Sequence, residues 1–231
     1  MALSSDIQNL GTTTSEALNA AFDYYWHDRG LWRLLHIAVV REGRTFTVRN
    51  QATGIKASEQ DLVRLAQPYV TEHLAAFTLG QFVSIFETFF FDLMQFWLQA
   101  HPQSLAKKQI RLADIFALPD KQSIVRLAVN EEVDAIRYKR LADWFTKLNE
   151  LVNLGCPATE QVERLAEIKA SRDLLVHNKG MVNATYVDKA GSKARFTIGQ
   201  KIDVPQIYLR ESWTLIKLVV NDVVIAAADK A

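Results

Sequence analysis

Arg172 and His177 stand five residues apart in the run Ala170-Ser171-Arg172-Asp173-Leu174-Leu175-Val176-His177-Asn178-Lys179-Gly180. At about 100° per residue, Val162, Leu165, Ile168, Leu175 and Val176 form one apolar arc of a helix, and Arg172 falls near its centre. A guanidinium is always charged, and burying it without a carboxylate, a phosphate or water is costly. Histidine is the side chain that exchanges a proton near neutrality. The two together have the chemistry to hold a phosphate and move a proton. Proton transfer beside a phosphate needs a base and a cation, and His177 and Arg172 suit those two roles. Asp173, four residues before His177, projects from nearly the same side and is placed to orient the imidazole. A bland alternative stands beside this one: His177 caps the helix end, helped by its dipole, and does no chemistry.

Glu87 is the second anomaly. On its own helix it lies between Val83 and Met94 on one side and Leu98 and Phe91 on the other, away from the polar face of Ser84, Thr88 and Gln95. A carboxylate in one apolar arc and a guanidinium in another predict that the two helices pack together and that Glu87 pairs with Arg172. The alternative is that each is an edge position reaching out to water. One geometric problem remains. A five-residue step turns about 140° around a regular helix, so Arg172 and His177 do not share a face. Either the helix loosens at His177, or the site is shared between two protomers.

The segment resembles the HEPN superfamily of helical proteins, many of them nucleases. Their signature is an arginine, usually followed by a polar residue, then a short spacer and a histidine: here Arg172, Asp173 and His177. The run from Glu167 through Arg172, His177, Asn178 and Gly180 to Asn183 and Tyr186 is similar to the RiboL-PSP-type branch. So is the run Phe82-Val83-Ser84-Ile85-Phe86-Glu87-Thr88-Phe89. The resemblance covers residues 71–197. It implies a helical bundle, a homodimer with a composite cleft at its two-fold interface, and a metal-independent endoribonuclease with no cofactor. The products it implies are a 2′,3′-cyclic phosphate and a 5′-hydroxyl. Asn178, Lys179 and Asn183 would help hold the phosphate or the interface, although Asn-Lys-Gly is also an ordinary helix terminator. Such proteins often serve as toxins or defence effectors, with an antitoxin or other inhibitor as partner. Some members carry a tyrosine two residues after the histidine that a nucleotidyltransferase modifies; here that position is Lys179, which argues against such control. The rival class is a non-catalytic interaction module in which Arg172 and Glu87 are a structural pair.

The bulk properties bound these readings. A chain of 231 residues, 49% hydrophobic, suits one or at most two domains. A formal charge of +1 means that RNA binding must come from a local basic patch. The lone Cys156 excludes an intramolecular disulfide and fits a reducing cytoplasm. The N-terminus lacks a signal-peptide pattern, and the apolar stretch 77–98 carries Glu87 and Asp92, as a core helix would and a membrane span would not. The remaining histidines, His27, His36, His73 and His101, lack zinc-ligand spacing, and no phosphate-binding glycine loop occurs.

The elements that must position the site read as all-α: a HEPN-like bundle over 57–231 and an N-terminal helical arm over 1–56, with a single domain overall as the alternative. Thr12 to Ser15 offer an N-cap for a first helix to about Val40, with a break at Gly30. Residues 44–49 alternate as a short strand. Pro68 should interrupt the next helix, and 69–98 should be the longest, carrying seven of the 12 phenylalanines. Short helices follow over 112–117, 121–135 and 139–151, then the motif helix from Thr159. Residues 186–192 read as a turn, and 193–197 with 201–204 as a small β-hairpin before a final helix from Pro205 to about Ala228. The aromatic cluster Tyr24, Tyr25, Trp26, Trp32 and His36 reads as core or dimer surface, and the arginines at 29, 33, 41, 44 and 49 as a solvated face or an RNA-backbone track.

Overall fold

A computed structural model describes residues 2–45, 48–49, 51, 54 and 56–231. It is all-α. Helices α1 (Ala2–Val40), α2 (Glu59–Pro68), α3 (Leu74–Ala100), α4 (Leu112–Ala117), α5 (Lys121–Arg137), α6 (Leu141–Val152), α7 (Thr159–His177), α8 (Ala184–Ala190) and α9 (Gln206–Ala228) carry the chain. Strands β1 (Val48–Arg49) and β2 (Lys56–Ala57) pair antiparallel in a two-residue ribbon. Of the strand read over 44–49, Phe46 and Thr47 lie outside the described residues.

Helix α3 is the central rod because its aromatic side chains repeat at helical spacing. Phe82, Phe89, Phe90 and Leu93 are each at most 1% exposed, and fully burying one such side chain contributes about 1.5–3 kcal/mol. Helices α1, α5, α6, α7 and α9 pack around it. Pro68 does not break the rod: its missing N–H is absorbed by a π-helical turn, Tyr69–His73, and helix runs on from Glu59 to Ala100. By length and composition alone that continuous helix could cross a membrane, but more than half of its apolar window is buried inside the protein.

Helix α1 runs 39 residues, second to the 42-residue continuous run from Glu59 to Ala100 that contains α3, and it starts ten residues before the expected cap. Thr12, Thr13 and Thr14 do not cap it. Their hydroxyls donate to the carbonyls of Gln8, Asn9 and Leu10, 2.7–3.1 Å away, inside a continuous helix. Gly11 is required there: a Cβ at that position would stand 2.7 Å from Val224 Cγ2, so its absence lets α1 cross close to α9. Helix α1 also runs unbroken through Gly30. Its first half supplies Ile7, Leu18, Ala21, Phe22 and Tyr25 to the same core cluster as α3 and α9. Phe22 stacks on Trp213 at 4.7 Å, and Arg29 donates to the Tyr25 hydroxyl and to Gln206.

Two expectations near the motif are corrected. Residues 186–192 are not a turn but belong mostly to α8, capped by Asn183, whose Oδ1 accepts from the Tyr186 N–H at 2.9 Å. Tyr186 and Ala190, one turn apart, give α8 a buried face. The β-hairpin over 193–204 does not form. Residues 199–202 pair instead with 180–182: Val182 N–H donates to Gln200 O at 2.8 Å and Ile202 N–H to Gly180 O at 2.9 Å. The segment just after the motif thus satisfies the backbone groups that a hairpin would have used. Together with Ala170 and Leu174, the residues Val182, Tyr186, Ala190 and Ile202 build a small second core that fixes α8 and this loop to the end of α7.

Candidate active-site cleft

The C-terminal half of α7 forms one wall of an open cleft of about 550 Å³. Its other walls are Glu87 of α3, the turn between α5 and α6, and α8 with its cap. Five of the side chains that the sequence placed with Arg172 meet here with it: His177, Asp173, Glu87, Asn178 and Asn183. Lys179 is not among the lining residues. It is exposed and takes φ +54°, the left-handed turn that ends α7 just before Gly180.

Arg172 pairs with Glu87 across the α3–α7 contact, Nη2 to Oε2 2.6 Å. Lys169 completes that carboxylate, Nζ to Oε1 3.1 Å, while its ammonium sits 5.5 Å from the Trp144 ring centroid. Asp173 is held by Lys189 at 3.3 Å and Lys169 at 3.5 Å. The Arg172 Nε approaches Asp173 Oδ1 to 3.4 Å without hydrogen-bond alignment, so this buried N–H stays unsatisfied. Asp173 therefore neutralises lysines; among the described residues it makes no hydrogen bond to His177, and the expected role of orienting the imidazole is not what it does here.

His177 ends α7 with its helix still regular, since the Asn178 N–H donates to Leu174 O at 2.9 Å. The helix does not loosen, yet both Arg172 and His177 reach the same cleft. Their 140° separation is accommodated because the cleft wraps around the end of α7 toward α8. The imidazole is exposed and, among the described residues, has no hydrogen-bond or ion-pair partner. Asn178 is occupied locally, its side-chain amide donating to Met181 O.

The cleft is cationic. Arg137, Lys139, Arg140, Lys169, Arg172 and Lys189 line it against two carboxylates, Glu87 and Asp173. A concave site lined by one excess sign concentrates counter-charged ligands. Sequence reasoning missed most of this. A signal was present in Arg137-Tyr138-Lys139-Arg140, three cations about an aromatic between two helical runs, and in Lys169, four residues before Asp173. Tyr138 is 89% exposed at the cleft mouth.

Behind the cleft lies a buried network on Glu167, which is 3% exposed. Its Oε1 accepts from Ser171 Oγ at 2.7 Å, Tyr186 OH at 2.9 Å and Arg195 Nε at 3.0 Å, and its Oε2 from Tyr208 OH at 2.7 Å. Arg195 stacks on the Tyr208 ring, Cζ to centroid 3.4 Å. Burial and the adjacent carboxylate push both phenols above the ordinary tyrosine range, Tyr208 farthest. This network ties α7, α8, α9 and the loop between the last two together and so fixes the cleft's back wall. Among the described residues no group of three or more histidine, cysteine, aspartate or glutamate side chains is placed to hold a metal ion. No protein-family model, curated protein or solved structure matches this chain.

Proposed function

We propose that this chain is a metal-independent endoribonuclease of HEPN type. One observation carries the proposal: Arg172 and an exposed His177, which has no partner among the described residues, line a single cationic cleft. His177 takes the proton of the ribose 2′-OH, and that oxygen attacks the adjacent phosphorus. Arg172 stabilises the pentacoordinate phosphate, with Lys169 and Lys189 beside it. The 5′-oxygen leaves with a proton from the imidazolium or water, giving a 2′,3′-cyclic phosphate and a 5′-hydroxyl. A homodimer is part of this proposal. Val176, which precedes His177, and Met181, whose carbonyl accepts from Asn178, are 62% and 40% exposed, and apolar side chains left bare beside a site suit a second protomer. Cytoplasmic action as a toxin or defence effector, restrained by an inhibitor protein, is the biological setting we propose.

A specific observation favours the second reading, a non-catalytic interaction module: the Arg172 side chain is only 16% exposed and already salt-bridged. Incubating purified protein with diverse RNAs, with and without EDTA, separates the two. Expected for the nuclease is cleavage that persists in chelator, leaves cyclic phosphate ends and disappears in His177→Ala. Loss of cleavage in EDTA with the fold intact points to a metal nuclease. Intact RNA under all conditions, after removal of any co-purifying inhibitor, leaves the interaction module.

A further inference from the structure

A second cavity of about 310 Å³ adjoins the cleft. The two share Lys139, Arg140, Lys169, Ala170 and Lys189 as walls, so they form one groove along α7. Their linings differ in kind. The cleft is lined by charges. The second cavity is lined by apolar Leu141, Val162, Ala166 and Ala190, with the exposed Thr159, Glu163, Gly191 and Ser192 at its edge. Four of its lining residues, Ala142, Ala166, Ala170 and Ala190, are alanines, and Gly191 at its edge lacks a side chain altogether. The space exists because these side chains are small. Its volume lies at the lower end of the range for small-ligand pockets, about 300–1,000 Å³.

Between the two cavities runs an ion pair. Arg140 Nη2 meets Asp188 Oδ2 at 2.8 Å, linking the α5–α6 turn to α8. Both side chains are more than half exposed, so the pair is weakly held and can exchange partners. A guanidinium at the junction of a cationic cleft and an apolar pocket suits a ligand with an anion at one end and a flat apolar face at the other.

We propose that the second cavity is a nucleobase subsite, taking the base of a nucleotide whose phosphate lies in the Arg172 cleft, with Arg140 leaving Asp188 for that phosphate. This rests on the RNA reading of the cleft and goes beyond it, by placing a base at a defined position and naming the side chains that hold it. Small apolar residues accept the base face, while Glu163 and Ser192, already joined at 3.2 Å, offer polar atoms to its edge.

The test uses the parent protein and two probes that hold no phosphodiester to cleave, a nucleoside 5′-monophosphate and ribose 5-phosphate, which lacks the base. Binding is read by calorimetry. The expected result is that the nucleotide binds more tightly than the sugar phosphate by about tenfold, from the apolar surface of the base taken out of water. Ala142→Trp, at an exposed helix position on the pocket rim, should erase that difference and leave sugar-phosphate binding unchanged. Asp188→Asn, which frees Arg140, should tighten both. Equal binding of the two probes to the parent protein overturns the base subsite and leaves the phosphate cleft standing. A base-dependent difference that survives Ala142→Trp, in a protein with unaltered melting, overturns its location. Binding of neither probe overturns the RNA reading itself.

Discussion

Arg172 and Glu87 close the contact between α7 and α3 with a 2.6 Å ion pair, and neither residue is satisfied by that contact alone. Glu87 also has Lys169 at 3.1 Å, whereas Arg172 has only the misaligned approach of Asp173. The pair is therefore asymmetric. Arg172→Ala leaves Glu87 with a cation and should cost about 1–3 kcal/mol. Glu87→Ala leaves a mostly covered guanidinium with a poorer partner and should cost more. Urea unfolding of both single variants and the double variant measures this. The double variant should be less destabilised than the sum of the singles, because the lone charge left by each single change is gone. Strict additivity would show that the two residues do not interact.

His177 presents the opposite case. Its imidazole is exposed and, among the described residues, bonded to nothing. Its replacement by alanine should leave the melting temperature within about 2 °C of the parent, as for other surface positions. RNA cleavage should nonetheless be lost. Activity loss with stability unchanged at His177, set against losses of both at Arg172, is the pattern that a proton-transfer group and a structurally engaged phosphate ligand produce. If His177→Ala melts several degrees lower, the histidine is a helix cap and its place in the chemistry fails.

The Glu87–Arg172 contact was legible because each charge interrupts an apolar arc, and only opposite charges on packed helices resolve both interruptions. The rest of the site was not, for reasons visible in particular residues. Arg140 and Lys139 reach the cleft from a turn whose direction is set by how α5 and α6 pack on α3, which periodicity does not encode. Residues 193–204 alternate well enough for a hairpin, but their hydrogen-bond partners are the backbone groups of Gly180 and Val182. Tyr186 to Ser192 looked like a turn because Gly191-Ser192 follows so soon. One Asn183 cap and two buried positions four residues apart suffice for the short helix there. Thr12 to Thr14 looked like a helix start because hydroxyls cap helices, yet the same hydroxyls bond back to the preceding turn when the helix has already begun.

Glu167 holds the back wall of the cleft and touches no part of the opening. Its removal would strand two phenol hydroxyls, the Ser171 hydroxyl and the Arg195 guanidinium in a largely dry site. Glu167→Ala should therefore cost about 3–5 kcal/mol, the range for leaving a buried charge without its partner. Glu167→Gln keeps the shape and one good acceptor and should cost less. Amide exchange should rise first in α8 and the loop before α9, since these are tied to α7 through Tyr186 and Arg195. Exchange that rises evenly over the whole chain would show that the network serves global stability and not this wall.

The same network sets the response to alkali. Tyr208 and Tyr186 both hold their protons above the ordinary tyrosine range, chiefly because burial disfavours the phenolate, and next because Glu167 lies beside them. In the unfolded chain the same phenols ionise near pH 10. Below that pH the folded and unfolded forms carry the same tyrosine protons, and these groups leave stability level. Above it the unfolded chain loses protons that the folded form keeps, so stability falls as pH rises. Denaturation midpoints should therefore fall from about pH 10 upward, with phenolate absorbance from these two residues appearing together with unfolding. Tyr208→Phe should start lower at neutral pH, having lost its bond to Glu167, and should then fall less steeply with alkali, having one fewer proton to lose. A parallel fall in parent and variant would mean that Tyr208 ionises freely in the folded protein and that its hydroxyl is not held by Glu167.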